Sequence, residues 1–429
     1  MKINYHKFFG YMYRLESKIA FYPSILSLLG VSFALFMYYI EDLNVSSYLL
    51  ENAPWLIIKD VETARTILST FIGGLISIMV FSFSMVMILL NQASSNYSPR
   101  VLPGLISNTR HQIVLGIFNS CLLYCIFTLI VIEPTDSKYQ LPGFSVLLAI
   151  IFMTFSLGAF IYFIHSISQE IQINNIMSGI YKEAKNRLCK LIEIEKGNPS
   201  NFPDTESWHA ITSKKSGYIE NFSLESITEK LNKIDAKAEI VVYKGAYVLK
   251  GDTIIKTSEK FEKDINHAIF SDFHFSRSEL VEDNYLLAFK HLTEIIVKAM
   301  SPGINDPGTA INAIDYLTEL FVLRMQKKDS SNYCESDKII ISIKSISFEQ
   351  LLYNVMASIR TYCIHDITIV QKLVNMFRSL LDTTNCVNEN YKKVVLQEME
   401  NIRLDSVRAI QNKNDLKLLE TKMALIEKN

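Results

Sequence analysis

TILSTFIGGLISIMVFSFSMVMILLNQASSNYSPR (66–100) decides the fold. Residues 67–90 include no Asp, Glu, Lys, Arg or His, and fourteen of them are Leu, Ile, Val or Phe. At a few tenths of a kcal/mol each, those side chains favour insertion into a bilayer by about 4–8 kcal/mol, with no charge opposing them. As a helix the run covers about 35 Å, enough to cross the hydrocarbon core with some tilt. Thr70, Ser77, Ser84, Asn91 and Ser98 fall seven residues apart, with Gly73 and Gly74 between the first two. Residues at that spacing share one helix face, and this face is expected to meet protein or water rather than lipid. A packing seam is the commoner use of such a row, because small residues let membrane helices approach closely. The alternative is a pore-lining face that runs into Gln92 and Ser95.

Three more uncharged runs flank this one, at 22–40, 113–132 and 144–164. The chain of 429 residues is 49% hydrophobic yet 20% charged, and the apolar residues are concentrated in the first 165. The run at 22–40 is too long for the core of a cleavable signal, and no small-residue cleavage pattern follows it. Lys2, Lys7, Arg14 and Lys18 precede the first run, Arg100 and Arg110 lie between the second and third, and Lys182, Lys185, Arg187 and Lys190 follow the fourth. Segments rich in Lys and Arg stay in the cytoplasm. Four membrane helices with both termini cytoplasmic satisfy all three clusters.

The formal net charge is −1, with no basic arm or patch, so nucleic acid is not an expected partner. The six cysteines show no CxxC or His-linked spacing. Free thiols are expected, and no metal.

The remainder reads as an α+β region. Residues 166–204 form a connecting amphipathic helix, continuous with the fourth span, and a linker at GNPSNFPD (197–204). Residues 205–258 read as a small β module, with strands at 238–243, 246–249 and 253–256 joined at Lys244-Gly245 and Lys250-Gly251-Asp252, and an upstream strand near 216–219. The pattern Gly245, Val248, Gly251, Asp252 resembles the hairpin of lipoyl and biotinyl carriers and of membrane-fusion adaptor proteins, which implies a β-sandwich-like module. No Met-Lys or Asp-Lys carrier signature stands at a hairpin tip, so no attached cofactor is expected. Residues 259–429 read as a helical domain that ends in a long helix rich in Lys and Glu over 389–427.

Within that domain SPGINDP (301–307) stands out. Ser301-Pro302-Gly303 stops one helix, because a residue before proline avoids the α region. Asp306 then has the chemistry to cap the next helix, with Pro307 in its first turn. A tight helix–helix corner explains most of the string. The alternatives are an anion site at the helix start with Thr309, or Asn305 and Asp306 as oxygen ligands of a cation. Asp283, Lys290 and Glu294 fall at helical spacing, which suits either a buried polar network or a solvated ion-pair ladder. No nucleophile, phosphate-loop or zinc-protease motif is present, and the chain is expected not to be an enzyme.

Four strings together identify a family: NQASSNYSPRVL (91–102), HQIVLGIF (111–118), IYFIHSISQEIQ (161–172) and KAMSPGINDPGTAINAIDYL (298–317). They resemble those of bacterial membrane proteins catalogued as domain of unknown function 2254, in the same order along the chain. The resemblance implies a multi-span inner-membrane protein with a cytosolic C-terminal part, and supplies no substrate or reaction. It directs attention to the inner mouth, with Arg100 and His165, and to the SPGINDP corner.

Three functions compete. The first is a homo-oligomeric channel-like or transport pore, lined or sealed by the second helix and controlled by the cytosolic domain, with lipid, ions and further copies as partners. Four short spans enclose little, so conduction needs several copies around an axis. The absence of embedded charge disfavours proton coupling and favours a passive pore. The second is a non-conducting scaffold or sensor that docks a partner through the cytosolic domain. The third is an enzyme at the membrane interface using His165, Arg100 and His111.

Overall fold

The computed structural model describes residues 20–43, 45–96, 109–132, 142–170, 172–196, 202–279, 283–335 and 338–427. It divides into two units, which meet in sequence near Gln172.

The N-terminal unit holds four helices long and apolar enough to cross a membrane. They are α1 (Phe21–Asp42), α3 (Val61–Asn96), α4 (Thr109–Val131) and α5 (Gly143–Glu170), with the short α2 (Val45–Asn52) between the first two. The third span is the centre of the unit. It buries 39% of its apolar window, against 11% for α3, whose sequence had suggested the organising role. The close approach of α1 to α4 explains this. A Cβ at Gly30 would stand 2.5 Å from Ser120 Oγ, and one at Gly116 would stand 2.4 Å from Leu26 Cδ1. Backbones that near bring many atoms into dispersion contact, which is what holds helices together where lipid is as apolar as protein. Phe33, Tyr124 and Phe152 fill the space among α1, α4 and α5, with ring centroids 5.1–5.7 Å apart.

Glu41, at the end of α1, secures the start of α5. Its Oε1 accepts from the Ser145 amide at 2.8 Å and the Ser145 hydroxyl at 3.0 Å, while Oε2 accepts from Ser46. Ser46 Oγ in turn accepts from the Phe144 amide at 2.9 Å. The opening amides of a helix have no partner inside it, and a carboxylate is a favourable acceptor there.

The C-terminal unit begins with α6 (Ile173–Lys196). The expected continuous helix through 165–190 is interrupted: α5 ends at Glu170 and α6 starts at Ile173. Ile176, Tyr181, Ala184, Leu188 and Ile192 form its buried stripe, and this stripe serves helices of the same unit, α9 (Leu286–Ala299) and α10 (Pro307–Arg324). The linker expectation at 197–204 falls partly outside the described residues.

Two sheets follow. One has the order β1-β5-β3-β8-β7, from β1 (His209–Thr212), β3 (Ala238–Ile240), β5 (Thr253–Thr257), β7 (Ser330–Glu335) and β8 (Lys338–Lys344). The other has the order β4-β2-β6, from β2 (Gly217–Phe222), β4 (Tyr247–Val248) and β6 (Phe273–Ser276). The expected turns are present, with Gly245 and Gly251 at φ +84° and +103°, a region that favours glycine. The strands do not stop at 258. β6 pairs with β2, and β8 pairs in parallel with β3, Ala238 opposite Ile341. The module also includes α7 (Leu224–Asn232) and α8 (Lys263–Ser271), whose apolar faces close the core under Ile240 and Ile255.

The remaining helices are α11 (Phe348–Cys363), α12 (Ile367–Leu381), α13 (Asn390–Ala409) and α14 (Lys413–Glu427). The expected single helix over 389–427 is two, broken where Ile410 turns extended and Asn412 receives the Asn414 amide. α13 is not a solvated face: Tyr391, Val395, Met399 and Ile402 enter the core. Phe289, Phe321, Phe348 and Tyr391 form a chain of touching rings through that core. None of the six cysteines is joined in a disulfide.

Candidate functional site

The small and polar row of α3 has a definite direction. Ala64, Leu68, Leu75 and Ser82 are the side chains this helix buries. Thr70, Ser77 and Ser84 each follow a member of that set by two residues, about 200° around the helix, and they point away from the other spans. Thr70, Gly73, Ser77, Ser84 and Asn91 are exposed and Gly74 is half-buried, where an added Cβ would stand 3.8 Å from Met153 Cε. A Cβ added at Gly73 would meet nothing within 4 Å. Among the described residues the row is therefore not a seam within one chain, and Gly30 and Gly116 supply a close helix contact instead. Each hydroxyl is satisfied by its own helix: Thr70 donates to Thr66 O at 2.7 Å, Ser77 to Gly73 O and Ser84 to Val80 O at 2.9 Å. The side chains of Gln92 and Ser95, and all of Ser98 and Arg100, lie outside the described residues. His165 is exposed on α5.

An apolar groove of about 600 Å³ runs between α4 and α5, lined by Ile113, Ile117, Ile151, Phe155 and Gly158, with Arg110 at its α4 N-terminal end.

The SPGINDP corner has the expected construction. Asp306 caps α10, its Oδ1 accepting from the Thr309 amide at 3.1 Å and its Oδ2 from the Thr309 hydroxyl at 2.6 Å. These bonds, the hydroxyl first, hold the Asp306 carboxyl below its ordinary range. The Asp306 amide donates to Ala299 O at 2.8 Å, which closes the corner, and Asn305 adopts φ +49°. Asn305 and Asp306 are exposed. Capping occupies both oxygens of Asp306.

Asp283 and Lys290 pair with different residues. Asp283 precedes α9 in a turn at φ +63° and faces Arg187 Nη1 at 2.9 Å and Lys244 Nζ at 4.0 Å. Lys290 pairs with Glu279 at 2.5 Å, and Glu294 is half-buried further along α9. The helical spacing failed because α9 starts only at Leu286.

The polar centre that sequence reasoning missed lies at the end of α10. Arg324 is fully buried and donates to Lys327 O and Ile346 O, each at 2.8 Å, and to the Asp329 carboxylate. Lys327 Nζ is 2.7 Å from Glu195 of α6, and Glu195 also accepts from the Lys328 amide at 3.0 Å and from Ser331. Burial pushes the Lys327 ammonium below the usual lysine range, against the pull of Glu195. This knot joins α6, α10, β7 and α11, and its chemistry is structural. Its signal was present in two cations closing an apolar helix, but their partners stand far off in sequence. Among the described residues no group of three His, Cys, Asp or Glu side chains converges as a metal site.

Four apolar spans followed by an α+β unit define the class: a multi-span membrane protein with a large polar C-terminal part. The chain belongs to the family described as predicted membrane protein (DUF2254), which matches residues 16–379. It is similar to uncharacterized protein Mb1321c of Mycobacterium bovis and uncharacterized protein Rv1290c of Mycobacterium tuberculosis. Each is 22% identical over 371 residues, which covers 82% of this chain and 70% of the relative. No solved structure matches the chain.

Proposed function

We propose that the protein is a homo-oligomeric, channel-like pore of the bacterial inner membrane, in which copies meet along the outward row of α3. The observation that supports this is the direction of that row. Gly73 and its hydroxyl neighbours lie on the face opposite the bundle, where no other described helix packs against them. Small residues gain little against lipid but let a second helix backbone approach, so a neighbouring copy is the environment they suit. The rings of Phe33, Tyr124 and Phe152 fill the inside of one copy, and conduction in this reading passes between copies around a shared axis. No charged residue stands in 67–90, in keeping with passive flow rather than proton coupling. The basic clusters favour a cytoplasmic position for both termini and the C-terminal unit, and in this reading that unit governs opening.

The test is reconstitution in liposomes with ion flux recorded for wild type and Ser84→Trp, beside the mass of the assembly. Flux lost in the variant with the assembly intact is the expected result. A strict monomer in both detergent and nanodiscs overturns the proposal. Assembly without flux across several ions and under tension would mark a scaffold instead. Turnover of labelled lipid that vanishes in His165→Ala would mark an interface enzyme.

A further inference from the structure

A second cavity, of about 270 Å³, lies wholly within the C-terminal unit, between α6 and the start of α9. Glu183, Arg187 and Lys190 face it from α6, and Asp283, Asn284 and His291 face it from the other side. Arg187 is only partly satisfied among the described residues. Its Nη1 meets Asp283 at 2.9 Å, but its Nε is shut off from water and, among the described residues, donates to nothing. A buried guanidinium N–H without an acceptor forfeits free energy that a ligand oxygen would return.

A further cation stands beside Asp283. Lys244 sits in the turn between β3 and β4, 4.0 Å from the Asp283 carboxylate, and its burial pushes its ammonium below the ordinary range. The turn is pressed against the rim, because a Cβ at Gly245 would stand 2.3 Å from Asn284 Nδ2. Asp283 is thus a half-exposed carboxylate, at positive φ, held between two cations in the wall of the cavity.

The geometry points to a binding site for a small phosphoryl anion, lined by Arg187 and Lys190, with Asp283, which Lys244 also approaches, as the resident carboxylate that the ligand displaces. A phosphate monoester carries about 1.5 to 2 negative charges near neutrality and three strong acceptor oxygens, where Asp283 offers one charge. The guanidinium fork suits such oxygens in pairs. The cavity is lined by two cations and two carboxylates, Glu183 being the other, and Lys244 stands near Asp283; with Asp283 displaced, one carboxylate remains against these cations. The volume is just below the roughly 300–1,000 Å³ of pockets for drug-sized ligands, so the ligand is a phosphoryl group with a small body. The site lies on α6, the helix that follows the fourth span in sequence, and it stands whether or not the protein conducts.

The experiment is calorimetric titration of the purified full-length protein with inorganic phosphate and with glycerol 3-phosphate, at matched ionic strength in chloride. The thermal stability of the protein in nanodiscs with and without phosphatidic acid forms a second arm. Saturable binding by wild type is expected, about tenfold weaker in Arg187→Gln and several-fold tighter in Asp283→Asn. Asparagine tolerates positive φ, so the Asp283 variant keeps its fold and tests the idea even if the Arg187 variant does not. Stabilisation by phosphatidic acid without binding of either soluble probe assigns the phosphoryl group to a lipid headgroup. Absence of binding in both arms overturns the site, and so does weaker binding in Asp283→Asn.

Discussion

Replacing Glu195 by glutamine strips the charge from the partner of Lys327 while keeping an acceptor for the Lys328 amide. Lys327 is 2% exposed and Glu195 8%, so water cannot take over the lost attraction. Leaving one member of a buried pair uncompensated costs about 3–5 kcal/mol. At about 2–4 °C per kcal/mol for a domain of this size, Tm falls by about 6–20 °C. The sign of the pH dependence follows from Lys327. Its folded pKa lies below the ordinary 10.5 because burial outweighs Glu195, and removing Glu195 lowers it further. The unfolded chain then binds more protons, so stability rises with pH up to that ordinary value. The gap between Glu195→Gln and wild type is therefore widest near neutrality and narrows toward about pH 9.5. Thermal melts followed by tryptophan fluorescence at the two pH values measure it. A Tm within about 2 °C of wild type at neutrality, or a gap that widens with pH, refutes the reasoning. The double variant Glu195→Leu/Lys327→Met regains most of the loss, since an apolar pair of similar volume replaces a buried ion pair at little cost.

Three further outcomes are expected. Gly116→Leu drives a side chain into Leu26 and lowers the stability of the detergent-solubilised protein by about 1–3 kcal/mol or more, whereas Gly73→Leu leaves monomer stability unchanged and dissociates the assembly; size measurement and thermal melts together read both. Glu41→Ala removes the acceptor for the Ser145 amide and hydroxyl and costs about 2–3 kcal/mol, measured as a lower Tm in detergent. Asp306→Ala removes the α10 cap and costs about 1 kcal/mol. Because the Asp306 carboxyl is held below 3.8 in the fold, its contribution is full above that pH and fades as the pH falls through the lowered value; melts at neutral and acid pH should converge for wild type and variant.

The parts of the fold legible in the sequence were those written locally. An uncharged apolar run of bilayer length declares a span by itself, and the turns at Gly245 and Gly251 and the cap at Asp306 depend on neighbours within a few residues. What the chain could not show was partnership at a distance. The period of Thr70, Ser77 and Ser84 defines a face, but period alone does not say what the face looks at. The bundle side of α3 carries Leu68, Leu75 and Ser82 at the same spacing, and only packing separates the two rows. Similarly, β8 is a short apolar run whose partner β3 lies about a hundred residues earlier, and Lys327 meets a carboxylate from α6. The cavity beside Arg187 shows the same separation, since its walls come from α6 and the α9 entry, about a hundred residues apart.

The parallel pairing of β3 with β8 has a consequence for biogenesis. At ordinary elongation rates a ribosome takes roughly 5–20 s to add a hundred residues. For that interval the nascent β3 has only β5 beside it, and its other edge is bare until the partner emerges. A naked edge of that kind is an invitation to pair with another chain. A fragment cut at 258 would freeze the polypeptide in this half-made state, so dissection of the protein should keep 205–344 in one piece.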